Sequence, residues 1–295
     1  MKKIQNKKIA ILGLGLMGAS LALALKKRGF TGKILGYARR EETRSEAMKR
    51  KMVDAVFSTP EEAVQDADLS VVCLPIWAIS DLAKQIIPAL KPGAIVTDVG
   101  STKSELLLQL EPLFGAKETT FIGSHPIAGS EKTGIDAGDS NLYEGRLTVI
   151  CPTQKTPTEA QEMVCDLWES VGAEVVEMSP NAHDAMLAST SHLPHMVAAA
   201  LARSVAGKSP EKKANFCGTG FKDTTRVASG SANMWVDIID TNRSALEAEL
   251  NTFHEELQGL IDILRQGNSD DIRSWLEEAA EQRNLILQHN KFLKR

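Results

Sequence analysis

Three glycines near the start of the chain do most to limit what it can fold into. Gly13, Gly15 and Gly18 form a GxGxxG string directly after the apolar run 9–12 and ahead of a helical pattern. In a strand–turn–helix setting each glycine has its own steric task. The first allows the tight turn, the second lets the backbone approach a pyrophosphate, and the third lets helix and strand pack closely. The helix N-terminus then offers free N–H groups and partial positive charge to the phosphates, with Leu16 and Met17 beside them. The competing reading is an incidental glycine-rich turn. A basic start followed by the uncharged stretch 9–25 also looks superficially like an export signal. The glycine spacing, and a length short of the ~20 residues that span a bilayer, tell against a signal or a membrane span, and the chain is expected in the cytoplasm.

The region after the turn keeps alternating. Apolar or β-branched runs at 8–12, 33–37, 69–74, 94–98, 120–124 and 147–151 predict strands, separated by helical stretches such as 18–28 and 76–90. A helix–strand unit at 158–171 and 174–178 completes this part, which reads as a parallel sheet between helices. After Ser179-Pro180 the strand signals stop. Residues 181–206, 232–265 and 269–289 predict long amphipathic helices. We therefore expect an α/β dinucleotide-binding domain over 1–179 and an all-α domain over 180–295. In the second, Leu246, Leu250, Phe253, Leu257, Leu260 and Leu264 recur at three and four residues on a helix too long for a compact bundle by itself. A second copy of the chain is the simplest cover for that stripe, giving a homodimer. Packing within its own domain is the competing reading.

Composition narrows the partners. With 295 residues, 43% hydrophobic and 24% charged, the chain is an ordinary soluble globular protein of about two domains. A net charge of −4 argues against a nucleic-acid binder. The four cysteines, Cys73, Cys151, Cys165 and Cys217, form no CxxC pair, which fits a reducing compartment and offers no zinc cage.

About 20 residues beyond the glycines, an NAD site usually carries an acid for the ribose 2′-hydroxyl. Here Gly36-Tyr37-Ala38-Arg39-Arg40 brings two guanidiniums instead, which favours NADP over NAD. In the competing reading Arg39 and Arg40 are a solvated face and Glu41 or Glu42 reaches the ribose. Tyr37, the strand-end pair Leu74-Pro75, and Gly100 with Ser101 are expected along the same crevice.

Three polar clusters can carry chemistry. Asp98-Val-Gly-Ser-Thr-Lys103 and the loop 123–134 follow the fourth and fifth expected strands, so Ser101 and His125 should face the crevice at the strand ends. A histidine there suits general-base work on a hydroxyl. A ring satisfied by loop backbone is the competing reading. On the first long helix Ser191 and His195 lie four apart and share a face, with His192 nearby and Pro194 set to kink the helix or start a new turn. No third ligand or HExxH string accompanies these histidines, so no metal site is expected. The loop 218–226 ends in Arg226, a natural carboxylate clamp unless it is spent on an ion pair with Asp223.

Taken together, GLGLMGAS, DVGSTK, GSHPIAGSEKTG, STSHLPH and GFKDTTRVASGSANMW resemble the prephenate and arogenate dehydrogenase family in order and spacing, over nearly the whole chain. The resemblance implies a Rossmann domain followed by a helical dimerisation domain, with the active site between them. It implies oxidative decarboxylation of prephenate or arogenate by hydride transfer to NAD(P)+ in tyrosine biosynthesis, and a length too short for a fused chorismate mutase or ACT domain. By motif, His125 resembles the histidine that accepts the C4 hydroxyl proton, and Ser101 the serine that hydrogen-bonds it. Arg226 resembles the arginine on a substrate carboxylate, and Ser191 and His195 the helical substrate contacts, with His192 a competitor. Ser130, Glu131, Asp223 and Trp235 resemble residues lining or gating the pocket. Family association leans toward an NADP-linked arogenate enzyme. Two other readings stay open: a hydroxyacid or imine-reducing dehydrogenase, although 181–206 has no lysine, and a non-catalytic nucleotide sensor.

Overall fold

Ile9 and Ile11 point to one face of the first strand and Ala10 and Leu12 to the other, and all four are fully buried. A strand buried on both faces needs a layer on each side. The computed structural model, which describes residues 3–116, 118–130 and 132–292, supplies both. The order is β1 (Lys8–Leu12), α1 (Leu16–Lys27), β2 (Lys33–Tyr37), α2 (Glu41–Lys49), β3 (Ala55–Phe57), α3 (Pro60–Val64), β4 (Leu69–Val72), α4 (Ile76–Ile86), β5 (Ile95–Asp98), α5 (Ser104–Gly115), β6 (Thr120–Pro126), β7 (Leu147–Cys151), α6 (Thr158–Ser170) and β8 (Glu174–Glu177). The strands form one sheet in the order β3-β2-β1-β4-β5-β6-β7-β8, parallel except between β6 and β7. One core contains Leu21, Leu25, Val164 and Trp168 from α1 and α6; the other contains Ile79, Ala83, Leu106 and Phe114 from α4 and α5. Strand order reverses between β1 and β4, which opens a crevice at their carboxyl ends beside the glycine turn.

The expected strands are present, with β4 ending at Val72 and β6 running on to Pro126. One strand goes beyond the expectation: β3 has three residues, too few to show a period of two. The expected helix 76–90 stops at Ile86 and finishes as the 3-10 turn Ile87–Ala89, because Pro88 has no N–H to continue the ladder.

The second half is helical, but less continuous than its periodicity predicts. It comprises α7 (Pro180–Leu187), a π turn (Ala188–His192), α8 (Leu193–Ala206), α9 (Pro210–Lys213), α10 (Thr219–Thr225), α11 (Ala232–Thr241), α12 (Arg243–Gln266) and α13 (Ser269–His289). The expected single helix 181–206 is therefore interrupted by one wide turn. Pro194 sits in the first turn of α8, where an N–H has no partner within the helix anyway. The expected helix 232–265 breaks at Asn242, whose backbone leaves the helical region at φ −135°. Its buried amide donates to Asp184 O at 2.8 Å and lies 3.2 Å from His192 Nδ1, so tertiary hydrogen bonds hold the break. The expected loop 218–226 is instead α10 running into the 3-10 turn Arg226–Ser229. Along α12 the apolar stripe is buried only at Leu246; Leu250, Leu257 and Leu264 are exposed, as are Leu276, Leu285 and Ile286 on α13. Among the described residues, no helix is long and apolar enough to cross a membrane.

Candidate active site

The glycine turn can be tested by asking what a side chain would meet. A Cβ on Gly18 would stand 1.9 Å from Gly13 O, so only glycine lets α1 start this close to β1. Gly13 has φ +108°, and its Cβ would lie 2.6 Å from Cys73 O and 2.8 Å from Leu74 Cδ2. At Gly15 a Cβ would meet nothing within 4 Å. The middle glycine thus faces open space in front of the first turn of α1, which has no side-chain cap on its N–H groups. That is the shape and charge a dinucleotide pyrophosphate fits. The turn is tied down from behind: Gly13 N–H donates to Tyr37 O at 3.0 Å, and Tyr143 Oη to Met17 O at 2.7 Å. Pro75 precedes α4 on the neighbouring edge.

At the end of β2 the Arg39 and Arg40 side chains are exposed, and no ion pair to either occurs among the described residues. The neighbouring Arg44 is the one that is used. It donates to Ala38 O at 2.8 Å and Arg39 O at 2.7 Å, and it pairs with Glu41. Glu41 is thereby engaged away from the ribose position, while two guanidiniums stay available.

Behind the crevice, Asp98 at the end of β5 and Lys103 before α5 form an ion pair with both side chains fully buried. Lys103 Nζ also donates to Ser124 O at 3.1 Å, and Asp98 accepts the N–H groups of Gly100 (2.7 Å) and Ser124 (3.0 Å). Every charge in this cluster is satisfied, so it ties β5 to β6 without spending a group on the crevice. Ser101, between the two, is half-buried, and the structure shows no hydrogen bond from it to His125.

His125 takes a different partner. Its Nδ1 lies 2.9 Å from Nε2 of His183, a fully buried residue of α7, and His183 Nδ1 lies 2.7 Å from Asp184 Oδ1. Asp184 also accepts the N–H groups of Lys103 and Ser104 at the start of α5, each at 2.8 Å. The ring is therefore held by side chains of the other half of the molecule rather than by loop backbone. Burial first, then the nearby His183, Lys103 and His192, hold the imidazole well below its ordinary pKa. His125 is neutral at neutral pH, with one ring nitrogen in the relay and the other, Nε2, unpartnered among the described residues.

On the helical side, the two residues that the linear spacing puts together differ in exposure. Ser191, in the π turn, is exposed; His195, in α8, is buried with its ring stacked on Trp235 at 3.5 Å between centroids and 15° between planes. Ser191 belongs to the π turn and His195 to α8, so their four-residue spacing does not run along one regular α-helix. His192 is buried toward Asn242, and burial pushes it down to about 4. His195 is lowered too, by burial. Arg226 and Asp223 are exposed, and no ion pair joins them. Ser130 is exposed, with its Oγ accepting Lys132 N–H at 3.2 Å; Glu131 lies outside the described residues.

Sequence reasoning missed His183, Asp184 and Asn242, and it named Asp98 and Lys103 in one polar cluster without their ion pair. The His-Asp dipeptide at 183–184, polar within a helical pattern, is the signal that could have found the first two.

A glycine turn built for a dinucleotide, a neutral histidine near the strand ends, and a helical second half holding that histidine define an oxidoreductase of the nicotinamide-dependent dehydrogenase class. The comparisons specify it further. Residues 21–177 match the family described as prephenate dehydrogenase, nucleotide-binding domain, and residues 179–278 its dimerization domain. The chain belongs to the prephenate dehydrogenase family. It is 34% identical to the cyclohexadienyl dehydrogenase of Zymomonas mobilis over 94% of this chain and 95% of that one. Two solved structures are similar along most of their length. A prephenate dehydrogenase from Aquifex aeolicus, in complex with hydroxyphenyl propionate and NAD+, superposes with TM-score 0.88 at 34% identity, covering 95% of this chain and 98% of that one. The Synechocystis arogenate dehydrogenase superposes at 0.84 with 32% identity, covering 95% and 99%.

Proposed function

We propose that the chain oxidatively decarboxylates prephenate or arogenate, giving 4-hydroxyphenylpyruvate or tyrosine, with NADP preferred over NAD. The observation that carries this reading is the neutral His125 ring, whose Nε2 is free while Nδ1 is anchored to His183. A dinucleotide whose pyrophosphate is held at Gly15 and the start of α1 would supply, through its oxidised nicotinamide, the acceptor for the C4 hydride. His125 Nε2 accepts the C4 hydroxyl proton, and a dienone results. As the C1 carboxylate leaves as CO2, its bonding electrons enter the ring and make it aromatic. The oxygen then takes its proton back from His125 and becomes the phenol, so no proton is consumed. The chain's tasks are alignment, a base and carboxylate anchors.

Arg226 suits a substrate carboxylate because its guanidinium is exposed and, among the described residues, unpaired. Ser101, half-buried in the loop after β5, is the group that would hydrogen-bond the substrate hydroxyl in this reading. The stacked His195 and Trp235 form a flat wall for the ring, and Ser130, Glu131, Ser191 and Asp223 belong to the rim. Leu16, Met17, Tyr37, Leu74, Pro75 and Gly100 line the dinucleotide crevice. The 2′-phosphate preference rests on Arg39 and Arg40, which have no ion pair among the described residues, beside an engaged Glu41. Residues 1–179 hold the dinucleotide and 180–295 contribute substrate anchors and a homodimer contact through the open stripe of α12 and α13. The four cysteines are unpaired, in keeping with the cytoplasm.

Initial rates at 340 nm with prephenate and arogenate, each with NAD+ and NADP+, test this reading. Turnover of one substrate or both, with kcat/KM higher for NADP+, is the expected result; no turnover with either overturns it. Arg39→Asp is expected to lower the NADP/NAD ratio of kcat/KM by about tenfold, as lost charge-assisted bonds to a phosphate imply.

A further inference from the structure

The hydrogen on the His125 ring is placed by bonds whose directions can be worked out one from the next. Burial disfavours charge on Asp184, but the bonds it accepts from His183, Ser104 and Lys103 outweigh burial and hold its carboxyl below the usual range. A carboxylate only accepts, so His183 Nδ1 carries the hydrogen and donates to Asp184 Oδ1 at 2.7 Å. If that is the only hydrogen on the His183 ring, its Nε2 keeps a lone pair that can accept from His125 Nδ1, 2.9 Å away. With its hydrogen on Nδ1, His125 has a bare Nε2 on the side of the ring turned away from the contact. Were His183 doubly protonated, it would donate from both nitrogens. Neutral His125 would then carry its hydrogen on Nε2 and accept nothing there.

We infer that His183 and Asp184 are positioning residues for the base, locking His125 in the tautomer whose Nε2 accepts a proton and taking up charge as that proton arrives. The inference rests on the reading of His125 as the base. When the substrate O–H bond breaks and the Nε2–H bond of His125 forms, the Nδ1–H of His125 can pass to Nε2 of His183. The resulting imidazolium lies against the Asp184 carboxylate. The proton travels back by the same route when the phenolic oxygen forms, and the relay ends as it began. His125 belongs to β6 and the other two to α7, and Asp184 also anchors the start of α5 through Lys103 and Ser104. The base is therefore complete only when the two halves of the chain are docked.

The experiment combines ring 15N NMR of the full-length enzyme, labelled at its six histidines, with kinetics of His183→Leu and His183→Gln. The His125 signals are identified by their absence in His125→Asn. In the wild type, His125 is expected to carry its hydrogen on Nδ1. His183→Leu is expected to lose about 100-fold in kcat, in the range of a disabled general base, with KM within about threefold. His183→Gln, whose amide oxygen can accept from Nδ1, is expected to regain about tenfold of that loss. Hydrogen on Nε2 in the wild type, equal loss in both variants, or a kcat for His183→Leu within about threefold of wild type would overturn the inference. If the leucine variant does not fold, the wild-type spectrum and the glutamine variant still decide. The spectrum needs no turnover, so a wrong tautomer overturns the relay alone, whereas inactive wild-type enzyme overturns the proposed reaction.

Discussion

The two halves of this chain make their contributions to one crevice by opposite means. In the nucleotide half the decisive geometry is local: three glycines within six residues shape a turn, and the neighbouring strand ends complete it. In the helical half it is long-range. His183, His192 and Asn242 come together across a π turn and a helix break, held by hydrogen bonds between residues some 50 positions apart. A site made by backbone sterics tolerates few substitutions but needs little support. One made by side chains depends on every partner being present, so the halves should respond differently to mutation.

The largest effects should separate the glycines from one another. Gly18→Ala puts a methyl group against Gly13 O, so the turn must deform, and dinucleotide binding is expected to fall more than about 100-fold with a loss of several degrees in Tm. Gly15→Ala adds a methyl to open space, and is expected to weaken the dinucleotide while leaving Tm within about a degree. Calorimetric titration and thermal unfolding of the two variants read this contrast directly. Similar Tm losses in both would break it.

His125→Asn comes next. Loss of the base should lower kcat by about 10²–10⁴ with KM nearly unchanged, as steady-state kinetics would record. Arg226→Ala should do the reverse, raising substrate KM by about 10–100-fold for a lost charge-assisted carboxylate contact. A defect confined to kcat would remove the clamp from the helical half's side of the comparison.

How far each half could be read from sequence follows from the same difference. The GxGxxG turn and seven of the eight strands were legible because each depends on residues close in sequence. The three-residue β3 was not, since it exists only by pairing with β2. In the helical half, periodicity located α7, α8 and α11 to α13 but not the short α9 and α10 or the breaks, because a π turn and a bent Asn242 are chosen by tertiary hydrogen bonds that compete with the helix. The candidate site followed suit: His125 stood out in its segment, which proves to be the end of β6, whereas its partner sits 58 positions away, where the expected partner was Ser101.

The smallest effect concerns pH. His192 is depressed from 6.5 to about 4 by burial, so over that interval the unfolded chain binds the proton and the folded one does not. Folding stability should therefore be full above about pH 6.5 and fall as pH drops toward 4, with the well-lowered His125 acting in the same direction. Denaturant midpoints across this interval measure it. His192→Gln should flatten the slope, whereas changes at the glycine turn should not.

The central claim, that both halves serve one oxidative decarboxylation, is tested most directly by counting its products together. With prephenate or arogenate and NADP+, wild-type enzyme should release one CO2 for every reduced dinucleotide formed, and His125→Asn should slow both equally. Reduction of the dinucleotide without CO2, or no reduction at all with either substrate, would contradict the account.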